Sequence, residues 1–240
     1  FEFSGTGGNY ITLADTDLDD VFGNGFTWAA WVKHDNQAAG WGWVFDGSSS
    51  YAQFGKKSGE GELRFDGISG SLDTVGADVA DGNWHHVVAS WDGSTKYIYF
   101  DGVLNVSGNG VGSVASAGNM IIGDHPGNTE AWEGRIDDIL LLNYSLSPEQ
   151  IFALYQNRTD LIVTNETSLG DIWNATITPN DGTGDGLTKW SPALTIVLPQ
   201  AAPTQGTPIL NSTSGNNYST ENLTVYNVST VDVNGDSIKN

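Results

Sequence analysis

Asp-Gly occurs at 46–47, 66–67, 81–82, 92–93, 101–102, 181–182 and 185–186, and Asn-Gly at 24–25, 109–110 and 234–235. These dipeptides tolerate the positive φ angles that two-residue hairpin turns require. Over much of the chain they recur about every 10 residues, a spacing that marks antiparallel sandwiches and barrels. The chain must therefore fold mainly as short strands joined by tight turns. Composition agrees. Only 16 % of residues are charged, against roughly 25 % in an average domain. Polarity comes instead from Gly, Asn, Ser, Thr and Asp, which suit turns better than helices.

The runs between turns read as strands. In 26–33 (FTWAAWVK), period-2 alternation places Phe26, Trp28, Ala30 and Val32 on one face. Comparable runs are 84–91, 97–104 with Asp101-Gly102 as its turn, 119–123 and 135–142. One helix is legible. Ser147-Pro148-Glu149-Gln150 offers an N-cap Ser, Pro at N1 and Gln at N3, followed by Ile151, Leu154 and Tyr155 at helical spacing. This helix of one or two turns closes the first domain.

The order FEFSGTGGNYITL (1–13), FTWAAWVK (26–33), GELRFDG (61–67), DGNWHHVVASWDGSTKYIYFDGVL (81–104), MIIGDHPG (120–127) and EGRIDDILLLNYSLSPEQIFALY (133–155) resembles the laminin-G-like, concanavalin A-like jelly-roll family. The resemblance covers 1–156. It implies a sandwich of two curved antiparallel sheets, usually extracellular and non-catalytic, acting in adhesion, glycan binding or as a spacer. It also implies a structural calcium at a sheet edge, which here would fall to Asn9 and Asp137. Relatives often carry Phe-Asp-Gly near the start, where this chain has Phe3-Ser4-Gly5, so one oxygen ligand is missing.

The remainder is expected to be β-structure of another kind. Runs 161–164, 172–179 and 193–198 resemble the second half of an immunoglobulin-like repeat of microbial surface proteins, giving a segment 157–198. Pro199–Pro203 reads as a linker. Residues 208–240 resemble the first half of a further repeat, so 199–240 is linker plus the start of that repeat. Half-sandwiches expose unpaired edges. Their strands are expected to pair with each other or with neighbouring copies or repeats of the same protein, and the second option builds a fibre by strand complementation. The chain starts at Phe1 without an initiator Met, so it is expected to be an excerpt or a processed product.

Charge and cysteine content exclude several functions. A formal net charge of −20 makes nucleic acid and anionic lipid poor partners. No apolar run approaches the length of a spanning helix, so no membrane insertion is expected in this segment. With no Cys, disulfides, iron–sulfur clusters and thiol nucleophiles are impossible. A G-x-S-x-G nucleophile elbow is missing as well. The Glu-x-Asp-x-x-Glu signature usual in hydrolases of this fold is not matched by Glu133-Gly-Arg-Ile-Asp137-Asp138, and no acid–base pair can be named. A catalytic role is therefore not expected. His85 and His86 are adjacent in a strand, so they face opposite ways and cannot chelate one ion.

Three features point outward. Sequons occur at Asn105, Asn143, Asn157, Asn165, Asn174, Asn211, Asn217, Asn222 and Asn227. Nine of 20 Asn far exceed what 42 Ser and Thr in 240 residues would produce by chance, and dense N-glycosylation of a stalk explains the excess. Calcium, as a structural ion, is the cofactor the oxygen-rich composition suits; Asp15–Asp20 and Asp232–Asp236 read as an acidic loop and a hairpin that only partly match calcium loops. Trp28, Trp31, Trp84 and Trp91 sit at strand positions and are expected in the core. Trp41, Trp43 and Trp132 lie at loop edges and are the candidates for a carbohydrate platform. The expectation is a non-catalytic extracellular or cell-surface structural and adhesive β-sandwich unit of a glycosylated surface protein or filament. The alternative is a carbohydrate-binding module of a secreted polysaccharide-degrading enzyme.

Overall fold

The computed structural model describes residues 1–14, 25–35, 40–47, 52–112, 119–125, 127, 130–158, 160–198, 204, 206–212, 214–216, 219–220, 222–226 and 231. Two compact units divide the chain, Phe1–Asn165 and Glu166–Asn240. The first is an antiparallel jelly-roll sandwich. One sheet has the order β1 (Glu2–Ser4), β12 (Glu133–Leu142), β3 (Phe26–His34), β8 (His85–Trp91), β9 (Thr95–Phe100), β10 (Val103–Asn109). The other runs β2 (Ile11–Leu13), β11 (Met120–Ile122), β4 (Gly42–Asp46), β5 (Ala52–Lys56), β6 (Leu63–Gly67), β7 (Leu72–Asp73).

The alternation in β3 does what its sequence demands. Phe26, Trp28, Ala30 and Val32 all enter the core, where they meet Phe45, Phe54 and Phe65. Phe26 stacks on Trp28 with ring centroids 4.4 Å apart and meets Phe65 edge-on at 5.9 Å. Burying each such side chain contributes about 1.5–3 kcal/mol, so this aromatic seam anchors the two sheets. The opposite face of the first sheet is also covered. Ala29, Val88, Tyr99, Leu146 and Ile151 form a second cluster beneath α1 (Pro148–Tyr155). That helix starts with the expected capping box: Gln150 N donates to Ser147 Oγ at 3.3 Å, and Ser147 N donates to Gln150 Oε1 at 2.8 Å.

Asp101-Gly102 links β9 to β10 with φ values of 49° and 78°, the two-residue turn its sequence requires. Gly102 serves a second purpose, because a Cβ there would lie 2.8 Å from the Tyr155 side chain. The other Asp-Gly pairs differ. Asp92 caps its loop by accepting from Ser94 N and Thr95 N at 2.9 and 2.8 Å. Gly67 opens a longer left-handed turn that joins β6 to its antiparallel neighbour β7. Short Asp side chains favour such local caps as readily as primed turns.

Three further expectations need correction. Residues 161–163 form no strand, and Thr164–Glu166 is a single 3₁₀ turn. Trp84 is exposed, because it precedes β8 instead of lying within it. Trp31 sits on the outer face of the first sheet, stacked on Tyr155 at 5.7 Å, and not in the inter-sheet core.

In the second unit the described residues form two-stranded ribbons. β13 (Ile172–Trp173) pairs with β16 (Leu194–Thr195), β14 (Thr176–Ile177) with β15 (Lys189–Trp190), and β17 (Ile209–Ser212) with β18 (Leu223–Tyr226).

Candidate functional site

The tryptophan edge is built on the second sheet. Register places Trp43, Gly55, Arg64 and Asp73 side by side across β4, β5, β6 and β7. The Trp41 ring lies parallel to Trp43, 5.5 Å away and tilted by 8°. The Arg64 guanidinium sits 5.0 Å from the Trp41 ring. Arg64 is itself fixed by two bonds to the Asp73 carboxylate, at 2.6 and 2.8 Å. This pairing raises the Arg64 pKa and holds the Asp73 carboxyl below its ordinary range. Sequence reasoning missed Arg64 and Asp73, since only strand register aligns them with the indoles.

That packing corrects the proposed carbohydrate platform. Trp43 is 4 % exposed and its Nε1 donates to Glu130 Oε2 at 2.6 Å. Trp132 is fully buried, edge-on to His34 at 4.8 Å, with Nε1 donating to Lys33 O. Neither ring has a face to offer a sugar. Trp41 is partly exposed, but it is flanked by Trp43 and Arg64.

Asn9 and Asp137 do not converge. The Asn9 amide donates to Ser4 Oγ at 3.0 Å, and Ser4 pairs with Glu133. Asp137 lies four residues farther along β12, about 13 Å at strand rise. Its Oδ1 accepts from Asp138 N at 3.0 Å. These two residues therefore do not fit a shared calcium ion. Among the described residues, no group of three or more His, Asp or Glu is placed to hold a metal ion. The acidic segments 15–20 and 232–236 lie outside the described residues.

The adjacent histidines do face apart. His85 Nδ1 is 2.9 Å from Asp101 Oδ2, and its Nε2 is 3.0 Å from Asp81 Oδ1. Burial works to lower its pKa, but the bonds to Asp101 and Asp81 outweigh it and raise the net value. His86 is 4 % exposed, and burial pushes it down to about 4.

All seven described sequon residues, Asn105, Asn143, Asn157, Asn165, Asn174, Asn211 and Asn222, are exposed. Asn217 and Asn227 fall outside the described residues. The Asn105 amide is tied to a distant segment at both ends: its Oδ1 accepts from Val75 N at 3.0 Å and its Nδ2 donates to Val75 O at 3.2 Å.

The second unit carries the largest unmet demand. Ile172, Ile177, Trp190, Leu194, Leu210 and Val225 are each more than half exposed, between 59 and 73 %. Register puts Leu210 directly opposite Val225, with Leu223 on the same face. None of these strands except β15, with Lys189, bears a charge. Charged side chains ordinarily protect an exposed edge from pairing.

No helix among the described residues is long and apolar enough to cross a membrane. The chain is 33 % identical over 88 residues to sushi, von Willebrand factor type A, EGF and pentraxin domain-containing protein 1 of Rattus norvegicus, a match covering 32 % of this chain but 2 % of that protein. In structure it is similar to a heptameric pentraxin of Limulus polyphemus, with a TM-score of 0.50 and 17 % identity over 64 % of this chain and 80 % of that one. It is also similar to the receptor-binding domain of a botulinum neurotoxin C/D mosaic serotype, with a TM-score of 0.52 and 15 % identity over 65 % of this chain and 42 % of that one. Both likenesses concern the fold. Residues 4–152 match the model of the concanavalin A-like lectin/glucanases superfamily, in its laminin-G-like branch, and the chain belongs to that family.

Proposed function

We propose that the chain is a non-catalytic extracellular structural and adhesive unit of a glycosylated surface protein or fibre. In this reading its C-terminal ribbons are completed by strands of neighbouring copies. The observation that carries it is the apolar surface of those ribbons, with Lys189 the single charge in their strands, exemplified by Leu210 and Val225 at 59 and 66 % exposure. An isolated two-stranded ribbon is marginal in water, and three or more strands with a buried face are needed for stability. The ribbons, read as halves of immunoglobulin-like repeats, are complementary to one another in kind. The occupant that fits is therefore the same segment of another copy. The absence of a catalytic step is supported by how neighbouring carboxylates are engaged: Asp73 is paired with Arg64 and Lys57, and Asp81 and Asp101 hold His85. Exposure of the described sequons supports the glycosylated, extracellular part of the reading.

Light scattering and negative-stain electron microscopy of the whole chain over a concentration series provide the test. Concentration-dependent oligomers or filaments are expected, dispersed by Leu210→Asp with Val225→Asp. A monomer at every concentration overturns the reading.

A further inference from the structure

Helix α1 carries apolar side chains on two faces. Ile151 and Leu154 pack toward the first sheet, against the cluster that holds Ala29, Val88 and Tyr99. Phe152 instead lines a groove of about 430 Å³, which the returning chain closes with Leu161, Ile162 and Val163. Phe152, Leu161 and Ile162 are 43, 44 and 50 % exposed, so the groove is open at the surface. Glu149 lies on the same side of the helix as Phe152 and is the only charged residue lining the groove among the described residues. A contiguous apolar surface of this kind, edged by one charge, marks a contact site.

The complementary surface lies on the β14–β15 ribbon. Ile177 and Lys189 are cross-strand partners, so they share one face. Thr178 Oγ1 and Thr188 Oγ1 lie 2.6 Å apart, so the alternation continues past the strand ends and puts Leu187 on the Lys189 face. Ile177 and Leu187 are 73 and 83 % exposed. That face therefore offers two aliphatic side chains beside one ammonium. The other cations are largely spoken for. Lys57, Arg64, Arg135 and Arg158 are paired with carboxylates. Lys56 and Lys96 donate to backbone carbonyls. Among the described residues, only the Lys33 and Lys189 side chains have neither kind of partner.

We infer that the groove between α1 and residues 161–164 receives the Ile177, Leu187 and Lys189 face of a neighbouring copy's ribbon. The aliphatic side chains lie against Phe152, Leu161 and Ile162, and the ammonium meets Glu149. The inference rests on the reading that copies assemble, and it names the surface of the first unit that takes part. A second copy fits because it meets two demands at once. It brings apolar side chains to fill the groove. It also brings an unpaired cation, in a chain whose net charge of −20 otherwise drives copies apart. The contact joins groove to ribbon and is heterologous. Each pair of copies keeps one groove and one ribbon free, so the array extends into a ring or a fibre.

Sedimentation velocity of the whole chain compares the parent with Glu149→Lys, with Lys189→Glu and with an equimolar mixture of the two variants. Both positions are exposed, so the substitutions keep the fold. Each variant alone sets like charges against each other and is expected to weaken association by about tenfold or more. The mixture should recover, because each variant supplies the charge the other lacks. Carbodiimide treatment of mixed isotopically heavy and light copies should yield a Glu149–Lys189 amide that joins one heavy chain to one light chain. Unchanged association in both variants, in a chain that Leu210→Asp with Val225→Asp disperses, overturns this inference and leaves assembly standing. A chain that is monomeric throughout overturns both. Recovery only in the doubly substituted chain, or an amide confined within single chains, puts the chain's own ribbon in the groove and overturns a second copy as its occupant.

Discussion

The ammonium of Lys96 donates to the Gly67 carbonyl at 2.8 Å from inside the sandwich. It also bonds to the carbonyls of Gly70 and Phe65. Gly67, Ile68, Ser69 and Gly70 have successive φ values of 82°, 45°, 67° and 101°, a full left-handed turn. A β-branched residue such as Ile68 resists that conformation at a cost of about 1–3 kcal/mol. The convergent carbonyls of the turn and the buried cation stabilise each other. Lys96→Met leaves these carbonyls unpaired and is expected to cost about 2–4 kcal/mol. Urea denaturation followed by tryptophan fluorescence measures it, and a loss under about 0.5 kcal/mol would show that the turn holds itself.

The two histidines should oppose each other across the pH range. His86 has a folded pKa of about 4, below its unfolded value of 6.5. Between those values the unfolded chain binds more protons, so stability falls as pH drops from about 6.5 to 4, by roughly 3 kcal/mol in all. His85 has a raised pKa. Its contribution is complete below pH 6.5 and is lost as pH rises through the raised value. His86→Gln should flatten the acid limb of a Tm-versus-pH curve, and His85→Gln should flatten the opposite limb. An acid limb unchanged in His86→Gln would refute the assignment.

Much of the first unit was legible because its signals are local. The β3 alternation, the Ser147–Gln150 capping box and the Asp101-Gly102 turn each fix their conformation within a few residues. Sites were less legible because they depend on register. Trp43 and Trp132 look like edge residues in the chain, yet Glu130, from the loop before β12, and His34, at the end of β3, cover them. Asn9 and Asp137 seemed a pair, but β1 aligns Ser4 with Glu133. His86 seemed an ordinary strand residue, since nothing near it in sequence announces α1 packing over that face. In the second unit the strands are shorter than the apolar runs of the sequence suggest.

Gly102 joins a turn requirement to a packing requirement. Any Cβ there meets the left-handed backbone penalty and also the Tyr155 ring at 2.8 Å. Gly102→Ala is expected to cost about 2–4 kcal/mol and to loosen α1. Hydrogen exchange should show faster amides in Pro148–Tyr155 with little change in β3. Equal protection in both proteins would mean that the helix does not depend on this contact.

Glycan occupancy should differ among exposed sequons for a structural reason. The Asn105 amide forms a closed pair with the Val75 backbone, donating at 3.2 Å and accepting at 3.0 Å. An oligosaccharide on that nitrogen would have to be accommodated against the 75–76 loop, which is also tied to Glu62 through Gly76 N. Asn143 and Asn174 carry no such backbone pairing among the described hydrogen bonds and are exposed. Glycopeptide mapping of material from a glycosylating host is expected to find Asn143 and Asn174 occupied and Asn105 largely bare. Breaking the pair from the other side checks the cause. Val75→Pro removes the N–H donor to Asn105 Oδ1, so occupancy at Asn105 should rise while that at Asn143 stays constant. Full occupancy of Asn105 in the parent chain would show that modification precedes formation of the pair.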